Sequence, residues 1–317
     1  MSAPRFVARL RQRHEGAGAP ASDRPVWDTD GVGWPNRASS RFVRAAGLRW
    51  HVQVMGSGPA ALLVHGTGAA THSWAGVAPL LAERFTAIAV DLPGHGFTDM
   101  PSTDRMSLPD MSEALEGLLA VLEAKPALAV GHSAGAAILC RMSLDGRLAA
   151  DRLVSLNGAL LPFRGLPGQI FSPIARLAAS TSLLPRLFSW QAGIDRQMID
   201  RLIRDTGSAL DAQGLEMYRR LARRPGHVAA AIAMMANWDL HPLVCDLPSL
   251  AVPLVLVTGT LDHAVRPAEA RRVQALLPKA RIIDLPGLGH LAHEERPAEV
   301  AELIIKLSDS PGHVARR

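Results

Sequence analysis

The sequence predicts an α/β protein: a mostly parallel sheet of eight strands, helices on both faces, and a helical segment inserted late in the chain. Three observations predict it. From Arg41 onward, short apolar runs bounded by Gly, Pro and Asp alternate with segments of helical spacing. The runs are near-continuously apolar, the pattern of strands covered on both faces. The alternation fails only from about Leu161 to Asn237, where Pro162, Pro167, Pro173, Pro185 and Pro225 separate helical pieces and no strand pattern occurs.

The elements follow in order. Residues 1–40 are polar and rich in Gly and Pro, and read as an irregular leader. Arg41 to Ala45 and Leu48 to Met55 flank Gly47 as a hairpin. Ala60 to Val64 is a buried strand, Thr71 to Glu83 a helix, and Phe85 to Leu92 another strand. Ser107 to Glu123 carries Leu108, Met111, Leu115, Leu118, Leu119 and Leu122 at helical spacing. Pro126 to Val130 and Leu153 to Leu156 are strands on either side of an apolar helix. In the inserted block, Asp195 to Ile203 is expected to place Ile194, Met198, Ile199 and Leu202 on one face. The sheet resumes at Pro253 to Thr258 and ends at Ala280 to Leu285, with helices over Arg266 to Leu277 and Pro297 to Leu307. The expected organisation is a leader (1–40), an α/β core (41–160 and 238–307), a helical lid (161–237) and a disordered tail (308–317).

The composition narrows the function classes. At 317 residues with 48% hydrophobic and 20% charged residues, the chain can bury a sizeable core. The net charge of +5 is small and scattered, which argues against nucleic acid and is compatible with acidic small molecules or an anionic membrane surface. Cys140 and Cys245 form no disulfide framework, which suits a reducing cytoplasm. The first residues carry Arg5, Arg9, Arg11 and Arg13 but no apolar stretch of a signal peptide. They read either as a frayed basic leader or as a peripheral contact with the inner membrane or a partner. No run approaches the roughly 18 apolar residues of a membrane span.

The chemistry is expected at the C-terminal ends of the strands, where open α/β sheets bind ligands. Gly131-His132-Ser133-Ala134-Gly135 has a strand before it and a helix after it, the setting of a nucleophile elbow. Its glycines allow a turn that lifts the Ser133 hydroxyl above the sheet. A serine hydroxyl needs a base. His290, in the Gly-rich loop after the last strand, is the expected base, with His293 as its rival. Asp262, directly after the Pro253–Thr258 strand, is the expected acid, with Asp239 as the substitute. The N–H groups of Ala134 and Thr67 are the expected oxyanion donors, Thr67 lying in His65-Gly66-Thr67-Gly68. His65, His95 and His132 lie in turn motifs and are expected to hold backbone. No cofactor motif is present, and no Cys/His cluster has the spacing of a metal site.

These motifs resemble the α/β-hydrolase superfamily from about Arg41 to Leu307. They are His65-Gly66, Asp91-Leu92-Pro93-Gly94-His95-Gly96, the Ser133 elbow, Asp262, and Gly289-His290 with Glu295-Arg296-Pro297. The resemblance implies the α/β-hydrolase fold. A narrower likeness lies in Trp34 to Val43, Gly47 to Val52 and His65 to Trp74, which are similar to the magnesium-chelatase accessory proteins of bacteriochlorophyll biosynthesis. That likeness implies a role near magnesium insertion into protoporphyrin, with chelatase subunits as partners. Two functions stand open. One is a serine hydrolase acting on an ester of a hydrophobic small molecule. The other is a non-catalytic accessory that binds a tetrapyrrole in its lid, through apolar residues such as Phe163, Ile170, Phe171 and Trp190 and lid arginines paired with propionates.

Overall fold

The computed structural model describes residues 23–162 and 183–309. A short helix α1 (Trp27–Asp30) precedes the hairpin of β1 (Ser40–Ala45) and β2 (Leu48–Met55). Then follow β3 (Ala60–Val64), α2 (Val77–Leu81), β4 (Thr86–Val90), α3 (Leu108–Val121), β5 (Pro126–His132), α4 (Ala134–Leu144) and β6 (Arg152–Leu156). Between β6 and the next strand lie α5 (Leu183–Ile194), α6 (Arg196–Asp205), α7 (Ala212–Ala222), α8 (Pro225–Ala236) and α9 (His241–Asp246). The chain closes with β7 (Leu254–Gly259), α10 (Pro267–Leu276), β8 (Arg281–Leu285), α11 (Ala292–Glu295) and α12 (Pro297–Asp309).

The eight strands form one sheet in the order β1-β2-β4-β3-β5-β6-β7-β8. β2 is antiparallel to both of its neighbours, and the pairs from β4 to β8 are parallel. Strands β3, β5, β6 and β7 are buried almost throughout, as their unbroken apolar runs require. One apolar layer joins α3, α4 and α10 to one face of the sheet, and Ala230, Ala233 and Met234 of α8 pack into it. A second layer seats α2 and α12 on the other face. Parallel strands therefore deliver the turns after β3, β5, β7 and β8 to one end of the sheet.

The structure alters several expectations. Within the expected irregular leader, Trp34 is buried with Ala70, Phe97, Met217 and Leu221, and Trp27 packs beside them. The expected helix over Thr71 to Glu83 is a 3-10 turn (Thr71–Trp74) and then α2, with Pro297 packed against Gly76 between them. In α6 the buried pair is Ile199 and Ile203, whereas Ile194 and Leu202 are exposed. The helix packs on Ala192 and Ala222, whose small side chains accept the i, i+4 pair. Helix α9 lies between the inserted block and β7. At the C-terminus, Ser308 and Asp309 complete α12, and Asp309 pairs with Arg84 at 2.8 Å. The basic leader's expected membrane contact, the lid residues Phe163, Ile170 and Phe171, and the tail beyond Asp309 lie outside the described residues.

Candidate active site

Ser133 follows β5 directly and opens α4. Its φ of 51° and ψ of −117° are strained for a residue with a Cβ. The surroundings over-determine that turn. A Cβ on Gly131 would lie 2.5 Å from the Ala136 nitrogen, and one on Gly135 would lie 2.3 Å from the Val64 carbonyl oxygen. Only glycine at both positions lets the elbow sit this close to α4 and β3.

His290 and Asp262 come from the turns after β8 and β7. His290 Nδ1 lies 2.8 Å from Asp262 Oδ2, with the carboxylate fully enclosed and the imidazole 11% exposed. The other Asp262 oxygen accepts the N–H groups of Ala264 and Val265, both at 2.8 Å. Backbone donors therefore fix the carboxylate, and the carboxylate fixes the imidazole with Nδ1 as donor, leaving Nε2 without a hydrogen-bond partner among the described residues. Ser133 Oγ makes no hydrogen bond to His290 here; in unliganded sites such contacts are commonly long and tighten on binding.

The two expected oxyanion donors are also placed. Ala134 is the first residue of α4, so its N–H has no acceptor within the helix. Neither Ala134 N–H nor Thr67 N–H donates to another described group. Gly66 packs against Ser133, a Cβ there lying 2.9 Å from the serine Cβ, so the Thr67 turn adjoins the elbow. Thr67 Oγ1 donates to Met234 Sδ at 3.4 Å, linking this turn to α8.

Neither rival makes the pairing that His290 and Asp262 make. His293 is buried against Trp74 with ring centroids 4.7 Å apart, and neither of its nitrogens makes a hydrogen bond. Asp239 is exposed and pairs with His241 at 2.8 Å. The other turn histidines hold backbone. His65 Nε2 accepts from Leu92 N–H at 2.9 Å while Nδ1 faces the Gly66 carbonyl at 2.7 Å. His132 Nε2 donates to the His290 carbonyl at 2.9 Å.

Two positioning groups escape the sequence reading. Asn157, left-handed at φ 47°, donates to the carbonyls of Gly289 (3.0 Å) and His290 (2.8 Å) and accepts from Gly259 N–H at 2.7 Å. It ties the ends of β6 and β7 to the base loop. An Asn-Gly pair directly after a strand was its signal, since Asn tolerates φ > 0. Ser208, between α6 and α7, accepts the N–H of Leu291 at 2.8 Å and carried no signal at all.

Burial sets the charges around the site. His132 is pushed well below its ordinary range, first by burial and then by His293 and His290. His293 and His72 are lowered to about 3, chiefly by burial, so both are neutral. Glu294 is pushed up to about 8 by burial, against the hydrogen bond it receives from Tyr218 at 2.6 Å. Among the described residues, no group of three or more His, Cys, Asp or Glu is arranged to hold a metal ion. No single described helix is long and apolar enough to cross a membrane.

The inserted helices carry exposed apolar side chains and paired arginines. Leu183, Leu184, Leu187 and Trp190 are exposed. Most of the described arginines of the block are engaged within the protein: Arg219 with Asp200, Arg223 with Glu216, Arg224 with Asp30, Arg201 with Asp195 and Arg186 with Asp23.

The profile of the alpha/beta hydrolase family matches residues 61–303. The chain is 38% identical to the magnesium-chelatase 30 kDa subunit of Rhodobacter capsulatus, over 82% of this chain and 91% of that one. It is 26% identical to the 2-(acetamidomethylene)succinate hydrolase of Mesorhizobium japonicum, over 86% and 95% of the two chains. Among solved structures, an alpha/beta hydrolase fold protein from Burkholderia ambifaria superposes with a TM-score of 0.70 at 23% identity, covering 84% of this chain and 97% of that one.

Proposed function

The chain belongs to the alpha/beta hydrolase family, and we propose that it is a serine hydrolase whose nucleophile, base and acid are Ser133, His290 and Asp262. The observation that carries this reading is the buried Asp262–His290 pair at 2.8 Å, at the same end of the sheet as a serine held at φ 51°. In the reaction, His290 Nε2 takes the Ser133 hydroxyl proton as Oγ attacks an ester carbonyl. The oxyanion is met by the N–H groups of Ala134 and Thr67. His290 returns the proton to the leaving alkoxide. Water, deprotonated by the same imidazole, then hydrolyses the acyl-enzyme. Ordered donors that need not reorganise make this arrangement effective.

The proposed substrate is an ester of a hydrophobic molecule, met beneath the inserted helices 183–236, which we read as a lid. The proposed setting is the magnesium-chelatase step of bacteriochlorophyll biosynthesis, with chelatase subunits as partners. The 38% identity to a protein named as a chelatase subunit supports that setting. It also supports a second reading, an accessory that binds a tetrapyrrole without chemistry. The ion pairs made by most of the described lid arginines weigh against their serving propionates.

One experiment separates the readings. Wild-type protein and Ser133→Ala are treated with a fluorophosphonate probe, and both are returned to a strain lacking the gene. The hydrolase reading expects labelling of the wild type alone, and pigment restored by the wild type alone. Restoration by Ser133→Ala makes the protein a binding accessory. Normal pigment in the deletion strain ends the tetrapyrrole setting.

A further inference from the structure

The inserted helices reach the acid and base loops through one short turn. Thr206, Gly207 and Ser208 begin the connection from α6 to α7 and enter between the Asp262 loop and the His290 loop. On the acid side, His263 N–H donates to the Thr206 carbonyl at 3.1 Å. Gly207 is pressed so closely to that loop that a Cβ would lie 1.8 Å from the Leu261 carbonyl oxygen. On the base side, a Cβ on Gly289 would lie 2.3 Å from the Gly207 carbonyl carbon. Leu291 N–H donates to Ser208 Oγ at 2.8 Å, and Ser208 is 2% exposed. Residues 261, 263, 289 and 291 flank Asp262 and His290 on both sides.

The turn itself is stiff. Gly207 N–H donates to the Arg204 carbonyl at 2.9 Å, and Thr206 Oγ1 to the Ile203 carbonyl at 2.6 Å. Its helices add two holds on the base loop. Leu291 packs with Ala192, Ile199, Ile203 and Ala222, and Tyr218 of α7 donates to Glu294 of α11 at 2.6 Å. From the sheet side, His132 and Asn157 fix the His290 carbonyl. His290 is thus held between a clamp built on the sheet and a clamp built on the insertion.

We propose that the Thr206–Ser208 turn is a positioning element, setting His290 against Asp262 through the backbone of their loops, with Ser208 as its principal contact. The inference rests on reading Asp262 and His290 as acid and base. Ser208 touches neither ring nor carboxylate; its hydroxyl binds the N–H of the residue after His290. Without it, the buried Leu291 N–H has no acceptor and the loop shifts. A displacement of about 1 Å at a base costs roughly 100-fold in rate. The titratable groups facing the His290 ring are Asp262, His132 and His293. Thr206 and Ser208 are uncharged, so they act on His290 through its position alone.

The test uses full-length protein and the variants Ser208→Ala and Tyr218→Phe. Titration of the His290 ring by NMR and the pH profile of Ser133 acylation by a fluorophosphonate are read together with thermal unfolding. The expected result for Ser208→Ala is cooperative unfolding, a displaced His290 titration and acylation slower by roughly 10- to 100-fold. Tyr218→Phe is expected to displace the titration less, and it carries the test if Ser208→Ala does not fold. Wild-type titration and wild-type acylation in the folded variants overturn the proposal. A wild-type protein that ignores the probe sinks the serine-hydrolase reading alone, because the His290 titration still decides whether the turn sets the pair.

Discussion

Two Ser–His–Asp chains lie among the described residues, and the one with more complete hydrogen bonding is the one we do not read as a site. Ser40 Oγ lies 3.0 Å from His51 Nε2, and His51 Nδ1 lies 2.8 Å from Asp91 Oδ2. Ser133, His290 and Asp262 share the 2.8 Å imidazole–carboxylate contact but lack the serine link. The difference lies in what surrounds each chain. His51 and Asp91 have side chains with no exposure, and Trp27, Phe42 and Phe97 enclose the His51 ring at 4.9, 5.3 and 5.4 Å. Ser40 has ordinary extended backbone (φ −74°, ψ 137°) and also accepts from Gln53 at 3.2 Å. It has no helix N-terminus beside it. Ser133 has strained backbone, the free N–H of α4 beside it, and an imidazole whose Nε2 is unengaged. A relay of hydrogen bonds holds a fold together as readily as it activates a hydroxyl. Oxyanion donors and an open Nε2 separate the two roles.

The sharpest way to break this comparison is to remove each histidine. His290→Ala is expected to slow acylation of Ser133 by a fluorophosphonate at least about 1,000-fold in the molecules that remain folded. His51→Ala is expected to cost stability and to leave acylation of the folded molecules unchanged. Asp91 also accepts from the N–H groups of Thr71 (2.6 Å) and Phe97 (2.9 Å), but it loses its imidazole partner in the interior. Breaking a buried pair this way costs about 3–5 kcal/mol. The molecules that remain folded should label at the wild-type rate. Peptide mapping that finds the probe on Ser40, or a folded His51→Ala protein that does not label, reverses the assignment.

A second expected effect sets the histidine-rich interior against solvent. His65, His72, His95, His132, His227 and His293 are all pushed below the ordinary imidazole value of 6.5, in each case first by burial. His72 and His293 fall to about 3 and His227 to about 4. The unfolded chain binds these protons near pH 6.5 and the folded chain does not. The stability they contribute is therefore full above pH 6.5 and is lost as pH falls below it. Each fully unmatched proton steepens the loss by about 1.4 kcal/mol per pH unit. Denaturant midpoints between pH 7 and pH 5 should show several protons taken up on unfolding. A flat profile there would mean that these imidazoles are wet.

Much of the fold and of the candidate site was legible because it rests on local chain chemistry. Apolar runs give buried strands, and glycine on both sides of Ser133 gives an elbow. The order of Ser133, Asp262 and His290 follows the turns after β5, β7 and β8. Less legible was whatever depends on two distant segments meeting. Ser208 acts only because the α6–α7 turn lies between two other loops. The His51–Asp91 pair needs β2 and the end of β4 side by side. The face of α6 was misread because Ile199 and Ile203 are selected by Ala192 and Ala222 on neighbouring helices, which no periodicity within α6 encodes. Trp34 sat in a polar, Gly- and Pro-rich stretch whose composition hid a buried anchor, its Nε1 donating to Thr71 Oγ1 at 3.1 Å.

The smallest expected effect contrasts two carboxyl groups. Burial raises Asp91, but the His51 charge and hydrogen bond, then His65 and the Phe97 N–H, outweigh it, so Asp91 is held below the usual carboxylate range. Glu294, three residues before Pro297, has a side chain 7% exposed, a phenol as its hydrogen-bond partner and a neutral His293 at 3.8 Å. Burial and the nearby Glu295 and Asp211 raise it to about 8 from an ordinary 4.5, so at pH 7 it is protonated. The unfolded chain gives up this proton near pH 4.5 and the folded chain near pH 8. Stability is therefore full below pH 4.5 from this group and falls as pH rises towards 8, by a total on the order of a few kcal/mol. Glu294→Gln keeps a neutral acceptor for Tyr218 and removes the proton. The variant should match the wild type near pH 5 and exceed it in denaturant midpoint near pH 8.5. Curves that run parallel from pH 5 to pH 8.5 would place a charged, solvated Glu294 beside the base loop. Glu294 would then join Asp91 as an ionised group, and the contrast between the two regions would lose its electrostatic half.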